Sequence, residues 1–331
     1  MEDRLLSQCV GDKIPEAIPA GIDWARLGEK LKGERLAPLF HSWIGRSPKA
    51  LSSVPENFLE ELKKSCYLTA LRNTRMKEEM KSLLRLLTEQ NIPVILHKGI
   101  HQAETLYGDI SLRPMDDADF LIRHEDFDRV QTLLQPLKFS TLLPDWHTDI
   151  LNTKRFGMVQ TGPSRRILGM WQRARTIQYE GIPARTLSPE DQLIALCIHL
   201  AFNHRLEGLI WHADLVRFLK RYRDDIDWNR ATQLAVEYEN AKSVYYCLKY
   251  LGDKWNANIP PDILAALKPK RPGWLEKKMV SLLWKGKNVG KWDYFFSLGL
   301  LEGKKTRRRY FWLTAKDLSK KILKRSKEFA A

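Results

Sequence analysis

The sequence has no long hydrophobic run. Nowhere do its 331 residues approach the roughly 18 consecutive apolar residues that a membrane-spanning helix needs. The opening residues, MEDRLLSQCVGDK, carry acids early and no apolar stretch, so no secretory signal is expected. Cysteine is scarce. Cys9, Cys66, Cys197 and Cys247 lie far apart with no CxxC pair. This argues against a disulfide frame or a cysteine zinc site and fits reduced thiols in a cytoplasmic protein. Internal repeats and low-complexity tracts are also missing. What remains, 44% hydrophobic and 29% charged, is the composition of a soluble globular protein with ample core material.

Positive charge is abundant, but only at one end. Residues 268–331 hold 19 of the 55 Lys and Arg and five of the 40 Asp and Glu, leaving 36 against 35 in the rest. The body is neutral and the last fifth strongly basic. Such asymmetry points to an anionic partner for the tail, either RNA or another polyanion, or an anionic membrane surface. The bland alternative is a solvated basic helix. Lys304, Lys305, Arg307, Arg308 and Arg309 adjoin Tyr310, Phe311 and Trp312, and a helix capped by Thr314 is expected after them. Aromatics beside cations suit stacking on bases or lying at a headgroup layer, with the polyanion ranked first.

Hydrophobic spacing divides the chain into four parts. Residues 1–90 read as an N-terminal helical region, most clearly over 56–90, where Leu59, Leu62, Cys66, Met76, Met80, Leu83, Leu84 and Leu87 recur near helical spacing. Residues 91–187 read as an α/β core. IPVIL predicts a buried strand, HKG a turn, IHQAETLYGD a short helix, RPMDDADFLI a turn and strand, and HEDFDRVQTLLQPL a helix. The pattern weakens over 140–187, where FGMVQ (156–160) is the better strand candidate and MWQRART a short helix. Residues 188–267 read as a helical domain. Its first helix has Ser188 at the cap, Pro189 at the first position and Asp191 three after the cap. Residues 268–331 form the basic, aromatic-rich tail.

Within RPMDDADFLI, three aspartates stand at the mouth of a strand, although acids are poor strand formers. Alternation puts Asp117 and Asp119 on one side of the extended chain, with Phe120 and Ile122 on the other. Two carboxylates on one side, roughly 7 Å apart, can share a hard dication. Taken alone, the spacing is a weak pattern, and a polar turn is the better explanation of Asp116 and Asp117.

In order along the chain, Lys98–Gly99, Tyr107 to Asp109, Arg113 to Met115, and Asp117 with Asp119 resemble the core of the bacterial nucleotidyltransferase-like family built on the polymerase-β-type minimal fold. The resemblance extends over about residues 20–225. His199 in LSPEDQLIALCIHLAF and Asp214 in WHADLVRFL stand at recurrent positions of the family's C-terminal part. It implies an α+β fold, a small mixed-sheet nucleotidyltransferase core flanked by N- and C-terminal helical regions. It also implies transfer of NMP from an NTP substrate to an unknown acceptor with release of pyrophosphate, using Mg²⁺ or in its place Mn²⁺. Asp117 and Asp119 would hold the metal. Lys98 and Gly99 would meet the phosphates. Arg113 would do the same or pair with Asp109, and His199 would face the nucleotide cleft. Classical members of the fold carry Gly-Ser where this chain has Lys-Gly. A third catalytic carboxylate is expected on a later strand, beside a His-Trp pair, and Asp149 in WHTDILN is the candidate. If Asp149 does not serve, a catalytically weakened form that binds nucleotide or nucleic acid and acts through partners stands as the alternative. Structural or surface roles are expected for His97, His101, His204 and His212, and a core role for Tyr107.

Overall fold

The computed structural model describes residues 1–150, 165–284, 298–303, 307–308 and 310–312. Four helices open the chain, α1 (Glu2–Val10), α2 (Trp24–Gly33), α3 (Ala37–Gly45) and α4 (Pro48–Leu51), and the long α5 (Glu56–Glu89) follows. The core then runs β1 (Val94–His97), α6 (Gly99–Tyr107), β2 (Ala118–Ile122), α7 (Phe127–Leu134), β3 (Pro144–His147), α8 (Arg165–Arg173), β4 (Arg175–Tyr179) and β5 (Ile182–Thr186). Helices α9 (Pro189–Ile198), α10 (Leu209–Tyr222), α11 (Trp228–Glu237), α12 (Ala241–Trp255), α13 (Pro261–Leu267) and α14 (Trp274–Trp284) complete the described elements. This is the α+β architecture expected, a small mixed sheet between helical regions.

The sheet has five strands in the order β3-β2-β1-β5-β4. β1 runs antiparallel to β2 and parallel to β5, β2 runs parallel to β3, and β4 with β5 forms an antiparallel edge pair. Both faces are covered. Val94, Leu96, Phe120 and Ile122 pack with Met76, Met80, Leu83, Leu84 and Leu87 of α5. Ile95 and Leu121, on the other face, join the core built by α9 to α13. Each fully buried aliphatic side chain contributes about 1.5–3 kcal/mol relative to exposure. The first half of α5 serves a different core, with Phe58 and Leu62 packed among α1, α2 and α3. At its middle, buried Asn73 donates through Nδ2 to the carbonyls of Ile110 (2.5 Å) and Arg113 (2.9 Å). One helix thus fixes the N-terminal region, the sheet and the turn leading into β2.

Local signals explain the elements read from sequence. Ser188 accepts from the Asp191 amide (3.2 Å), with Pro189 in the first turn of α9. Gly108 ends α6 in the left-handed conformation (φ 71°), as a C-terminal glycine does. All four thiols are free, and burial pushes that of Cys9 up to about 12. Among the described residues no helix is long and apolar enough to cross a membrane. The strand expected over 156–160 and the helix expected after Thr314 lie outside the described residues. So does most of the basic run, but Tyr310 is buried beside Phe202 while Phe311 and Trp312 are exposed. Tyr310 is therefore a core residue and not a stacking platform.

The C-terminal core supplies a pH-dependent contribution. His212 on α10 is buried between the rings of Tyr250 and Trp255. Burial lowers its pKa from 6.5 to about 4, against a smaller opposing effect of the Leu206 backbone. The unfolded chain therefore takes up this proton first, so stability falls as pH drops from 6.5 towards 4. The loss attributable to His212 is about 3 kcal/mol. Denaturant unfolding of wild type and His212→Phe at pH 7 and pH 4.5 should show a smaller pH difference in the variant. An equal difference in both would assign the effect elsewhere.

Candidate functional site

The sheet register assembles a polar patch at one end of one face. Residues paired across strands share a face, and so do residues two apart on one strand. His97 pairs with Asp119, and Asp119 with Asp145 on the other side. His147 lies two beyond Asp145, opposite Leu121. Thus β1, β2 and β3 each place an ionisable side chain on the face that carries Ile95 and Leu121 deeper in. Trp146 points the other way and stacks on Phe120 with ring centroids 4.8 Å apart. A cleft of about 310 Å³ opens over this patch. Its lining includes His97, Lys98, Gly99, Asp117, Asp119, Asp145 and His147 below, and His199, His204 and Trp211 from the helical region above.

The contacts are tight. His147 Nε2 lies 2.9 Å from Asp119 Oδ1 and 3.1 Å from Asp145 Oδ2. Lys98 Nζ donates to the same Asp119 oxygen at 2.9 Å. One ligand atom each from Asp119, Asp145 and His147 fall within 4.8 Å of one another, close enough for one ion. Asp117 stands exposed at the mouth, one residue before β2.

Charge on each group follows from these neighbours. Burial would raise the Asp119 pKa, but the Lys98 charge and the His147 hydrogen bond outweigh it and hold the carboxyl well below its usual range. Asp117 moves the other way, raised by lost solvation and then by the charge of Asp119. Burial lowers His147, yet hydrogen bonds to Asp119 and Asp145 carry it above the ordinary histidine value. Burial, then the Lys98 charge, keeps His97 and His199 neutral.

Backbone shape at the Lys98–Gly99 turn matters as well. Lys98 has φ 62° and ψ −156°, a conformation sparsely populated by non-glycine residues, and Gly99 has φ 57°. A β-carbon on Gly99 would meet the Ala118 Cα and the Asp117 carbonyl at 3.5 Å. Those are ordinary contact distances, so it is the positive φ that favours glycine here. The first turn of α6 leaves its amides without intrahelical partners, at the positive end of the helix dipole.

Above the cleft, α9 continues as a π-helical turn, His199–Asn203. Nε2 atoms of His199 and His204 lie 3.1 Å apart, and the His204 ring stacks on Trp211. A β-carbon at Gly208 (φ 84°) would lie 2.1 Å from the Trp211 ring, so glycine is required for this indole to reach the cleft.

The residues expected from sequence separate into two groups. Lys98, Gly99, Asp117, Asp119 and His199 converge on the cleft. Asp149 does not. Its buried carboxylate is gripped by Arg166, whose Nε lies 3.0 Å away, and it is not among the cleft residues. Asp145, four residues earlier, lies beside Asp119 in the cleft instead. Arg113 borders the cleft, but two of its nitrogens are turned to Asp214. Nε and one terminal nitrogen donate to the two carboxylate oxygens of Asp214 at 2.8 Å, both residues being buried. It does not pair with Asp109, which instead accepts from the Ser111 amide. Tyr107 adds a hydrogen bond to Asp214 at 2.6 Å. His97 and His204, for which structural or surface roles were expected, line the cleft, and His147 and Trp211 join them. The signal missed was PDWH itself: an acid and an imidazole two apart, flanking a Trp.

Neither the curated proteins nor the solved structures compared with this chain gave a match. A family model described as an uncharacterised nucleotidyltransferase covers residues 20–255, which takes in the cleft, the sheet and the helices above it. The chain belongs to that nucleotidyltransferase family.

Proposed function

We propose that the protein transfers a nucleoside monophosphate from an NTP to an acceptor, using a divalent cation held at Asp119 and Asp145, with Asp117 and His147 beside them. The carrying observation is the convergence of Asp119, Asp145 and His147 from adjacent strands to within 4.8 Å, next to the Lys98–Gly99 turn. The donors fit such an ion. Two carboxylates suit Mg²⁺ or Mn²⁺, and the imidazole favours Mn²⁺. The Lys98 ammonium already provides Asp119 with a cationic partner. When bound, the cation neutralises phosphate charge and activates the acceptor oxygen.

The rest is positioning by the chain. The α6 amides and Gly99 receive phosphate oxygens, as helix N-termini do. Lys98 offsets the charge of the departing pyrophosphate. His204 and Trp211 offer ring faces for the base, with His199 behind them. An acceptor oxygen forms its bond to the α-phosphorus as the bond to pyrophosphate breaks, and the fixed dipoles and charges of the cleft stabilise that charge rearrangement. The tail beyond residue 267 remains proposed to meet RNA or another polyanion ahead of a membrane surface.

The direct test is incubation with each α-³²P-labelled NTP and cell extract. Metal-dependent label on an acceptor, removed by chelation, is the expected result. No label, together with no metal-dependent NTP binding, would overturn the reading.

A further inference from the structure

A second groove, of about 970 Å³, opens between α2 and the first half of α5. It shares Arg35, Pro114, Met115 and Asp116 with the cleft described above, so the two cavities meet at a common wall. That wall is an ion-pair cluster. Arg35 donates to Asp116 at 2.5 Å, and Arg72 lies 3.4 Å from its other oxygen. All three side chains retain solvent exposure. Arg35 follows the end of α2 with φ 58°, a position where glycine is the usual choice.

Away from the junction the groove is lined by Trp24, Phe58, Leu62 and Leu68. Leu68 is 52% exposed, although the apolar face of α5 has buried positions available. Five cationic side chains line the groove against three acidic ones, and at the junction two partly exposed arginines share the single carboxylate of Asp116, leaving one positive charge there. A groove with an apolar body and guanidiniums at one end matches an amphipathic anion.

We infer that this groove seats the acceptor, and that the acceptor is a soluble phosphate monoester with an apolar body. Its phosphate meets Arg35 and Arg72 at the junction, and its hydrocarbon or aromatic part lies along Phe58 and Leu68. Bound this way, a phosphate oxygen of the acceptor faces the NTP in the cleft; it forms the new bond to the α-phosphorus as the bond to the β-phosphate oxygen breaks, giving a substituted pyrophosphate and free pyrophosphate. The inference rests on the nucleotidyl-transfer reading.

The probe is octyl phosphate below its micelle concentration, titrated calorimetrically into the full chain, with inorganic phosphate and octanol as comparators. Octyl phosphate should bind at least tenfold more tightly than either. Leu68→Asp and Arg72→Ala should each weaken it at least tenfold and change the affinity for Mn²⁺–NTP less than twofold. Saturating octyl phosphate should also take the label from α-³²P-labelled NTP itself and suppress its transfer to the acceptor in the extract. Octyl phosphate binding no tighter than inorganic phosphate, or binding indifferent to both substitutions, overturns the inference while leaving NTP binding intact. Binding only to vesicles containing phosphatidic acid would overturn the soluble acceptor in favour of a membrane-borne phosphate. If octyl phosphate binds but Mn²⁺–NTP does not, nucleotidyl transfer fails, and the acceptor role fails with it.

Discussion

Replacing Asp119 by Asn should lower nucleotidyl transfer by about three orders of magnitude, roughly 4 kcal/mol of transition-state stabilisation. Asp119 is where the cleft's charges meet. It accepts from Lys98 and from His147 through one oxygen, and it faces Asp145 across the strand pair. Asparagine keeps the shape but removes the charge that would hold a cation and that now balances Lys98. The cost should fall chiefly on the chemical step and on metal-dependent NTP affinity. Single-turnover transfer, together with a melting curve showing the variant folded, measures this. Transfer above a tenth of the wild-type rate in a folded Asp119→Asn variant would remove Asp119 from the site.

The second large effect is on stability. Asp214→Ala should destabilise the fold by about 3–5 kcal/mol, the usual cost of leaving a buried charge without its partner. Arg113 is buried and spends two donors on Asp214, and Tyr107 donates to the same carboxylate. These contacts join the turn before β2, the end of α6 and the helix α10. Arg113→Ala should cost a similar amount. The double variant should cost clearly less than the two losses added, since the second change removes a charge already stranded. Denaturant unfolding of the four proteins completes the cycle. A loss below about 1 kcal/mol for Asp214→Ala would mean that the pair is not the clasp described.

Much of this architecture was legible because its signals are local. The 34-residue α5, the cap at Ser188 and the turn at Gly108 each depend on neighbours a few positions away. The aspartates before β2 were legible as a contradiction, acids where apolar residues belong. β3, β4 and β5 were not. PDWH, RTIQY and IPART are four- or five-residue strands holding charges or proline, and their pairing partners are distant in sequence. Alternation over so few residues is weak evidence, so register alone revealed Asp145. Asp149 was attractive because it stands beside the same His-Trp pair. Its fate was set by Arg166, seventeen positions away, a contact no spacing rule supplies. Arg113 was read as a phosphate ligand for the same reason: its buried acid partner lies 101 residues further on.

The choice between Asp145 and Asp149 also gives the sharpest test of the site. Calorimetric titration of NTP with Mn²⁺ should be compared between wild type, Asp145→Asn and Asp149→Asn, each at a temperature where the protein is folded. Asp145→Asn should weaken metal-dependent NTP affinity by more than tenfold, about 1.4 kcal/mol. Asp149→Asn should leave that affinity within twofold of wild type and lower stability instead, since it disturbs the buried pair with Arg166. Full metal-dependent affinity in Asp145→Asn, with the loss appearing in Asp149→Asn, would contradict the site as assembled on β1, β2 and β3.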